Sequence, residues 1–234
     1  NLGEISNKGI ELLVKGTIMQ TADFAWNATL NYTNNESKVV ATNDTGGNIS
    51  MDEPRSRNLR VTHIVGEKYG ALYGSSFVRD TNGAIVHEMV NGIPIPKVGP
   101  RKILGFGVAP TQLGIGSNFR YKDFDAGFLI EGKMGGQIYS GSNAYLKRNG
   151  HHKSTVPAGG REGGWVPTGV MEGGGAVTTS IPAAQQEDYY RRSYLIAEQD
   201  VIDSDYMRLR QLSIGYTIPS DKLQGTFIDK ATVS

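Results

Sequence analysis

The chain has 234 residues, with 24 Lys and Arg against 23 Asp and Glu, and no cysteine. The near-neutral charge gives no strong pull toward nucleic acid or acidic surfaces, and the lack of thiols excludes a disulfide framework and a thiolate metal site. Hydrophobic residues make up 38% and glycines number 31, which suits many strands joined by polar loops. No apolar run is long enough for a transmembrane helix, but membrane strands are short and apolar on one face only, so they stay open.

In chain order, Asn1-Leu2-Gly3-Glu4 starts abruptly and the last residues, Lys230-Ala231-Thr232-Val233-Ser234, alternate like the middle of a strand. The sequence therefore reads as a piece of a longer polypeptide. In "GIELLVKGTIM", Ile10, Leu12, Val14, Gly16 and Ile18 fall on one face, and Glu11, Leu13, Lys15 and Thr17 on the other. After a turn at Gln20–Asp23, "FAWNATLNYTN" sets Phe24, Trp26, Ala28, Leu30 and Tyr32 against Ala25, Asn27, Thr29, Asn31 and Thr33. This period of two predicts a β-hairpin with one greasy side and one wet side.

"ALYGSSFVRDTNGAIVHEMV" predicts a second hairpin about Thr81-Asn82-Gly83, because Asn-Gly supplies the positive φ of a tight turn. Tyr69 and Tyr73, beside its start, read as interfacial aromatics. "LGIGSNFRY" groups Leu113, Ile115, Phe119 and Tyr121, and past the Lys122-Asp123 turn "FDAGFLIEGKM" groups Phe124, Ala126, Phe128, Ile130 and Met134. In "YMRLRQLSIGYTIPSDKL", Leu212, Ile214, Tyr216 and Ile218 share a face until Pro219, which has no backbone donor, ends the ladder. A further strand starts near Thr226. This makes about eight strands, each near the length that a tilted membrane strand requires.

Tight turns fall at one end of these hairpins, near Gln20–Asp23, Thr81–Gly83, Lys122–Asp123 and Pro219–Leu223. Long loops fall at the other, near Ala41–Asn58, Asn91–Pro110 and Gly141–Asp205. The alternation fits both a soluble sandwich and a membrane barrel. The sorting of short and long connections favours the barrel, with short periplasmic turns and long extracellular loops. A small autonomous barrel and a soluble carbohydrate-binding sandwich are the alternatives.

Catalytic and metal chemistry finds little footing. His151 and His152 are adjacent in a loop without supporting carboxylate spacing, and His63 and His87 read as ordinary strand or loop residues. Gly114-x-Gly116 lacks the third glycine and the helix of a dinucleotide fingerprint. The glycine tracts at 159–164 and 173–175 lack a phosphate-loop ending and read as flexible loop. No nucleophile elbow is present. No enzyme activity, cofactor or metal site is therefore read from the sequence.

Three segments resemble SusC/RagA-type TonB-dependent outer-membrane transporters, in that family's order. They are "NKGIELLVKGTIMQTADFAWNATLNYTNNESKVV", "FRYKDFDAGFLIEGKMGGQIYSGS" and "DYMRLRQLSIGYTIPSDKL", the last with its Arg-Leu-Arg, Gly-Tyr and turn-opening Pro. The resemblance implies an all-β, antiparallel transmembrane barrel of 22 strands. This chain would be the C-terminal portion of the barrel domain (1–234), without the N-terminal plug, the TonB box or the final strand, and with a long extracellular loop at about 141–205. It also implies a place in the outer membrane of a Gram-negative bacterium, in contact with its lipid. The function would be nutrient import, driven by the TonB complex and lidded by a SusD-like surface lipoprotein, with an oligosaccharide or peptide as cargo and no nucleic acid. Trp165, Tyr189, Tyr190 and Tyr194, beside Arg191 and Arg192, are the candidate cargo or lid contacts, since aromatic faces stack on sugar rings and Arg bridges hydroxyls or carboxylates.

Overall fold

Most of the alternating runs become strands of one six-stranded sheet. The computed structural model describes residues 3–42, 46–51, 58–224, 228 and 231–234. In chain order the strands begin with β1 (Glu4–Gln20), β2 (Phe24–Ala41), β3 (Ile49–Ser50), β4 (Leu59–His63), β5 (Ala71–Phe77), β6 (Val86–Val90), β7 (Ile93–Pro96) and β8 (Val98–Phe106). They continue with β9 (Thr111–Tyr121), β10 (Phe124–Met134), β11 (Gln137–Tyr139), β12 (Val170–Met171), β13 (Val201–Asp203), β14 (Tyr206–Ile218) and β15 (Ala231–Val233). Two helices, α1 (Gly141–Arg148) and α2 (Gln186–Ser193), lie between β11 and β13. No helix among the described residues is long and apolar enough to cross a membrane, which says nothing of strands.

The chain divides into two units. One comprises Ser6–Ser37, Val108–Gly136 and Ser204–Ser234. It holds the six-stranded sheet, ordered β1-β2-β9-β10-β14-β15, in which each neighbouring pair from β2 onward is antiparallel. Short turns join β1 to β2 and β9 to β10, while long segments join β2 to β9 and β10 to β14. The expected strand start near Thr226 lies outside the described residues; Ala231–Val233 pairs with β14.

Register places Phe24, Tyr121, Phe124 and Tyr216 side by side across four strands. Phe124 and Tyr216 are in ring contact at 4.7 Å. The row above holds Trp26, Phe119, Ala126 and Ile214, and further up stand Leu30, Ile115, Ile130 and Leu209. Ser117 interrupts the stripe of β9 for a reason: its hydroxyl accepts the Trp26 indole N–H at 2.7 Å, so a polar ring atom on a greasy face has a partner. From Phe24 to Tyr32 the stripe runs about 27 Å along the strand, which a tilt of roughly 40° lowers to about 21 Å.

This face is uncovered. Ile10, Leu212 and Ile214 are 70%, 68% and 69% exposed, which in water would be a large apolar patch with nothing against it. The opposite face carries Asn27, Asn118, Asp125, Glu131, Gln211 and Ser213. Thr17 of β1 donates to the Asn27 side chain at 2.8 Å, which fixes the polar side of β1.

The other unit comprises Asn1–Ile5, Lys38–Gly107 and Gln137–Asp203. Here the structure corrects several expectations. The predicted second hairpin is no part of the six-stranded sheet. A turn does form at Asp80–Ala84, with Gly83 at φ 84, but β5 joins a β3-β4-β5-β8 sheet and β6 a β12-β6-β7 sheet. The reason is burial: Ala71, Leu72, Gly74, Ser75 and Ser76 of β5 are all buried, so the strand has no stripe to offer lipid. Tyr73 lies on β5, and Tyr69 stacks on His63 at 4.4 Å; the aromatic row of the six-stranded sheet is Phe24, Tyr121, Phe124 and Tyr216 instead. The expected loop at Asn91–Pro110 contains β7 and β8. Part of the loop at Ala41–Asn58, residues 43–45 and 52–57, lies outside the described residues.

The glycine-rich stretch is built into structure rather than left as loose loop. Trp165 pairs with Ile181, Val170 pairs with Ala176, and β12 adds to β6. Gly169 has φ +150, and a Cβ there would stand 2.3 Å from the Ile85 carbonyl oxygen and 2.7 Å from the His87 ring. Two small cores result. Leu59, Leu72 and Ala197 form one with Leu104 and Val201 around them, and Ile93, Ile95 and Ile181 form the other with Val90, Trp165 and Tyr189.

Candidate functional site

In the six-stranded unit, the polar face bears a depression of about 390 Å³ lined by Lys15, Asn31, Gln112, Glu131, Lys133 and Tyr206, with Gly114 and Gly116 adding no side chain to fill it. Its charge arrangement follows from a register slip between Leu129 and Ile130 of β10 and their partners on β14. Arg208 then pairs with Glu131 and donates to it from Nε at 2.8 Å. Arg210, the extra residue, reaches the second carboxylate oxygen at 2.5 Å. One carboxylate thus serves two guanidiniums, and Lys15 and Lys133 leave the depression with a cationic surplus.

In the other unit, α2 organises the aromatic residues. Pro182 leads into it, Glu187 and Asp188 occupy its first turn, and Arg191 and Arg192 its last, the order that the helix dipole favours. Arg191 pairs with Glu187 at 3.5 Å and Arg192 with Asp188 at 2.9 Å, each one turn apart. Both arginines are therefore engaged within their own helix.

Tyr189 and Tyr190 point to Trp165. Tyr189 meets the indole edge-on at 4.9 Å, Tyr190 lies nearly parallel to it at 6.4 Å with 21° between planes, and the two tyrosines are 5.3 Å apart. Burial pushes the Tyr189 hydroxyl up in pKa, and the neighbouring Tyr190 adds to that. Burial also raises Tyr190, against the pull of Arg161; its hydroxyl donates to the Thr155 carbonyl at 3.2 Å. Tyr194 goes elsewhere, contacting Tyr145 at 5.5 Å with the Arg148 guanidinium 5.2 Å over its ring. Of the six candidates, the structure unites Trp165, Tyr189 and Tyr190 and sets Tyr194, Arg191 and Arg192 apart from that cluster.

These three rings line a cavity of about 280 Å³ together with Phe77, His87, Lys147 and Pro167. Lys147, at the C-terminal end of α1, bonds to Asp200 at 2.7 Å and to the Gln199 carbonyl at 3.2 Å, and Asp200 is 2% exposed. His87 is equally buried; desolvation lowers its pKa, against hydrogen bonds to the backbone of Ile85 and Val170. The Trp165 indole N–H is shielded from solvent and has no acceptor among the described residues. Tyr190 also borders a second cavity of about 510 Å³ with Arg148, His151, Arg161, Gln186 and Glu187. Sequence reading missed His87, Lys147 and Asp200. Nothing local marks them, because pairing across the fold brings them to the site. Among the described residues no cluster of His, Asp and Glu suits a metal ion.

An antiparallel meander with an uncovered apolar face, an aromatic row at the short-turn end and a charged polar face is a section of a transmembrane β-barrel wall. Its relatives agree. The chain is 26% identical over 247 residues to TonB-dependent receptor P3 of Formosa agariphila, matching 97% of this chain and 23% of that protein. It is 28% identical over 150 residues to the TonB-dependent receptor SusC of Bacteroides thetaiotaomicron, matching 59% of this chain and 15% of that one. Among solved structures, the RagAB peptide importer in its closed-closed state superposes with a TM-score of 0.62 at 15% identity, over 100% of this chain and 26% of the other. No family model matches. The chain is similar to a partial region of SusC/RagA-type TonB-dependent receptors and spans about a quarter of the length of the curated relatives P3 and P26.

Proposed function

We propose that the chain is the C-terminal portion of the barrel domain of an outer-membrane importer, driven by the TonB complex, that admits a nutrient. The observation that carries this is the sheet itself: greasy on one face, ion-paired on the other, with an aromatic row at its short-turn end. The apolar face meets lipid, and the polar face lines the lumen. The short turns face the periplasm, and the connections β2–β9 and β10–β14 are extracellular. Cargo is an oligosaccharide or peptide, and a SusD-like lipoprotein closes the pore from outside. Relatives named SusC and RagAB support that partnership. Trp165, Tyr189 and Tyr190 are the cargo contacts this reading favours, because their rings converge on one cavity.

The test is detergent extraction of outer membranes followed by gels of boiled and unboiled sample. A heat-shifted polypeptide on the order of 100 kDa, well beyond one ordinary domain, and co-purification of a lipoprotein are expected. Recovery of the sequence in a small soluble protein would overturn the reading.

A further inference from the structure

We propose that the cavity against Trp165, Tyr189 and Tyr190 is a ligand subsite for one uncharged, hydroxyl-bearing ring, as a neutral oligosaccharide presents. As a stop on the cargo's path it rests on the import reading above; as a binding site it stands alone.

Charge is the first argument. Among the described residues lining the cavity, Lys147 is the one permanent charge, and its ammonium is bound to the buried Asp200 carboxylate. His87 is held toward its neutral form by burial. An acidic sugar or a peptide terminus entering here would find no free counter-charge, and a buried unpaired charge is strongly disfavoured. The guanidiniums of Arg148 and Arg161 border the other cavity, beyond Tyr190.

Hydrogen bonding is the second. The Trp165 N–H is shielded from solvent and lacks an acceptor among the described residues, so the indole meets the cavity through its ring carbons. The Tyr189 hydroxyl, raised in pKa, keeps its proton and has no hydrogen-bond partner among the described residues. Shape is the third. Trp165 and Tyr190 present nearly parallel faces suited to the C–H face of a sugar ring, and about 280 Å³ is at the small end of ligand cavities.

The test uses the intact polypeptide in detergent, titrated calorimetrically with maltohexaose, cellohexaose and laminarihexaose, with hexagalacturonate as the acidic probe and a mixed hexapeptide pool as the peptide probe. At least one neutral hexasaccharide should bind, and hexagalacturonate should bind at least tenfold more weakly. Tyr189→Phe, which keeps the ring and loses the hydroxyl, should weaken binding about five- to tenfold, with an unchanged heat shift showing an intact barrel. Trp165→Leu, which removes the ring a sugar would stack on, carries the same test if Tyr189→Phe fails to assemble. Failure of all three neutral sugars, equal binding of the acidic one, or preference for the peptide pool would overturn the proposal. TonB-dependent uptake with both variants fully active would remove the subsite and leave the importer. Sugar binding that needs Trp165 in cells without TonB-dependent uptake would do the reverse.

Discussion

Leu209 and Leu212 are three residues apart on β14 yet share the apolar face, because they stand opposite Ile130 and Phe128 of β10 with Arg210 as an extra residue between them. Strict alternation would put Leu209 on the polar side. The bulge lets "RLRQL" send both leucines one way while Arg208 and Arg210 meet Glu131 on the other. Bulges re-aim side chains in this way at a local cost to the ladder.

Deletion of Arg210 should therefore leave assembly intact, since Arg208, Leu209, Gln211 and Leu212 then alternate regularly opposite Glu131, Ile130, Leu129 and Phe128. Arg210→Ala keeps the residue count and should assemble. The fraction of heat-shifted polypeptide on an unboiled gel should match the parent for both, and loss of assembly in the deletion alone would overturn the bulge at Arg210.

Leu30 stands in the middle row of the apolar face, and Asn31 is its neighbour on the polar one. Leu30→Arg should cost about 2–4 kcal/mol at mid-membrane, read as a shift in urea-dependent folding into lipid vesicles. Asn31→Arg should cost less than about 1 kcal/mol, since it faces water. Equal costs would overturn the facing, and a larger cost at Asn31 would reverse it.

Gly169 and Gly173 make a matched pair. A Cβ at Gly169 collides with the Ile85 carbonyl and the His87 ring, whereas Gly173 has positive φ but open space around it. Gly169→Ala should cost about 3 kcal/mol or more and Gly173→Ala about 1 kcal/mol. Amide exchange at Val170, which donates to the Ile85 carbonyl, reports both.

His87 gives its own unit, the one without the six-stranded sheet, a pH dependence. Its folded pKa lies below the ordinary 6.5 because of burial, so the unfolded form binds the proton first as pH drops. The stabilisation from neutral His87 is complete above about pH 6.5 and is lost as pH falls below it. Protection at Val170, corrected for intrinsic exchange, should fall between pH 7 and pH 5, and His87→Gln should flatten the profile.

What the sequence revealed follows from where water and lipid act. β1, β2, β9, β10 and β14 were legible because each meets two different media, so Ile10 to Ile18 or Phe124 to Ile130 alternate without ambiguity. β5 and β6 alternate as well, but they are held by neighbours on both sides, and Ser75 and Ser76 of β5 are buried by partners far away in sequence. That burial is invisible in the run "ALYGSSF". The stripe of β14 was legible from Leu212 onward and hidden before it, because one extra residue shifts parity at Arg210. The aromatic cluster was half legible: Trp165 and the two tyrosines stood out by type, while Lys147, Asp200 and His87 acquire their roles only through pairing across the fold.

The segment after α2 has a wider consequence. Asn58 donates to the Tyr194 carbonyl, the Ser75 hydroxyl bonds to Leu195 and accepts from the Ala197 amide, and Glu198 holds Arg79 and the Phe77 amide. Ile196 and Ala197 are wholly buried. The β2–β9 and β10–β14 connections thus share one interior, and neither owns a complete one. Neither can be replaced alone without leaving an unmatched seam in that shared interior, so the two connections stand or fall as one folding unit.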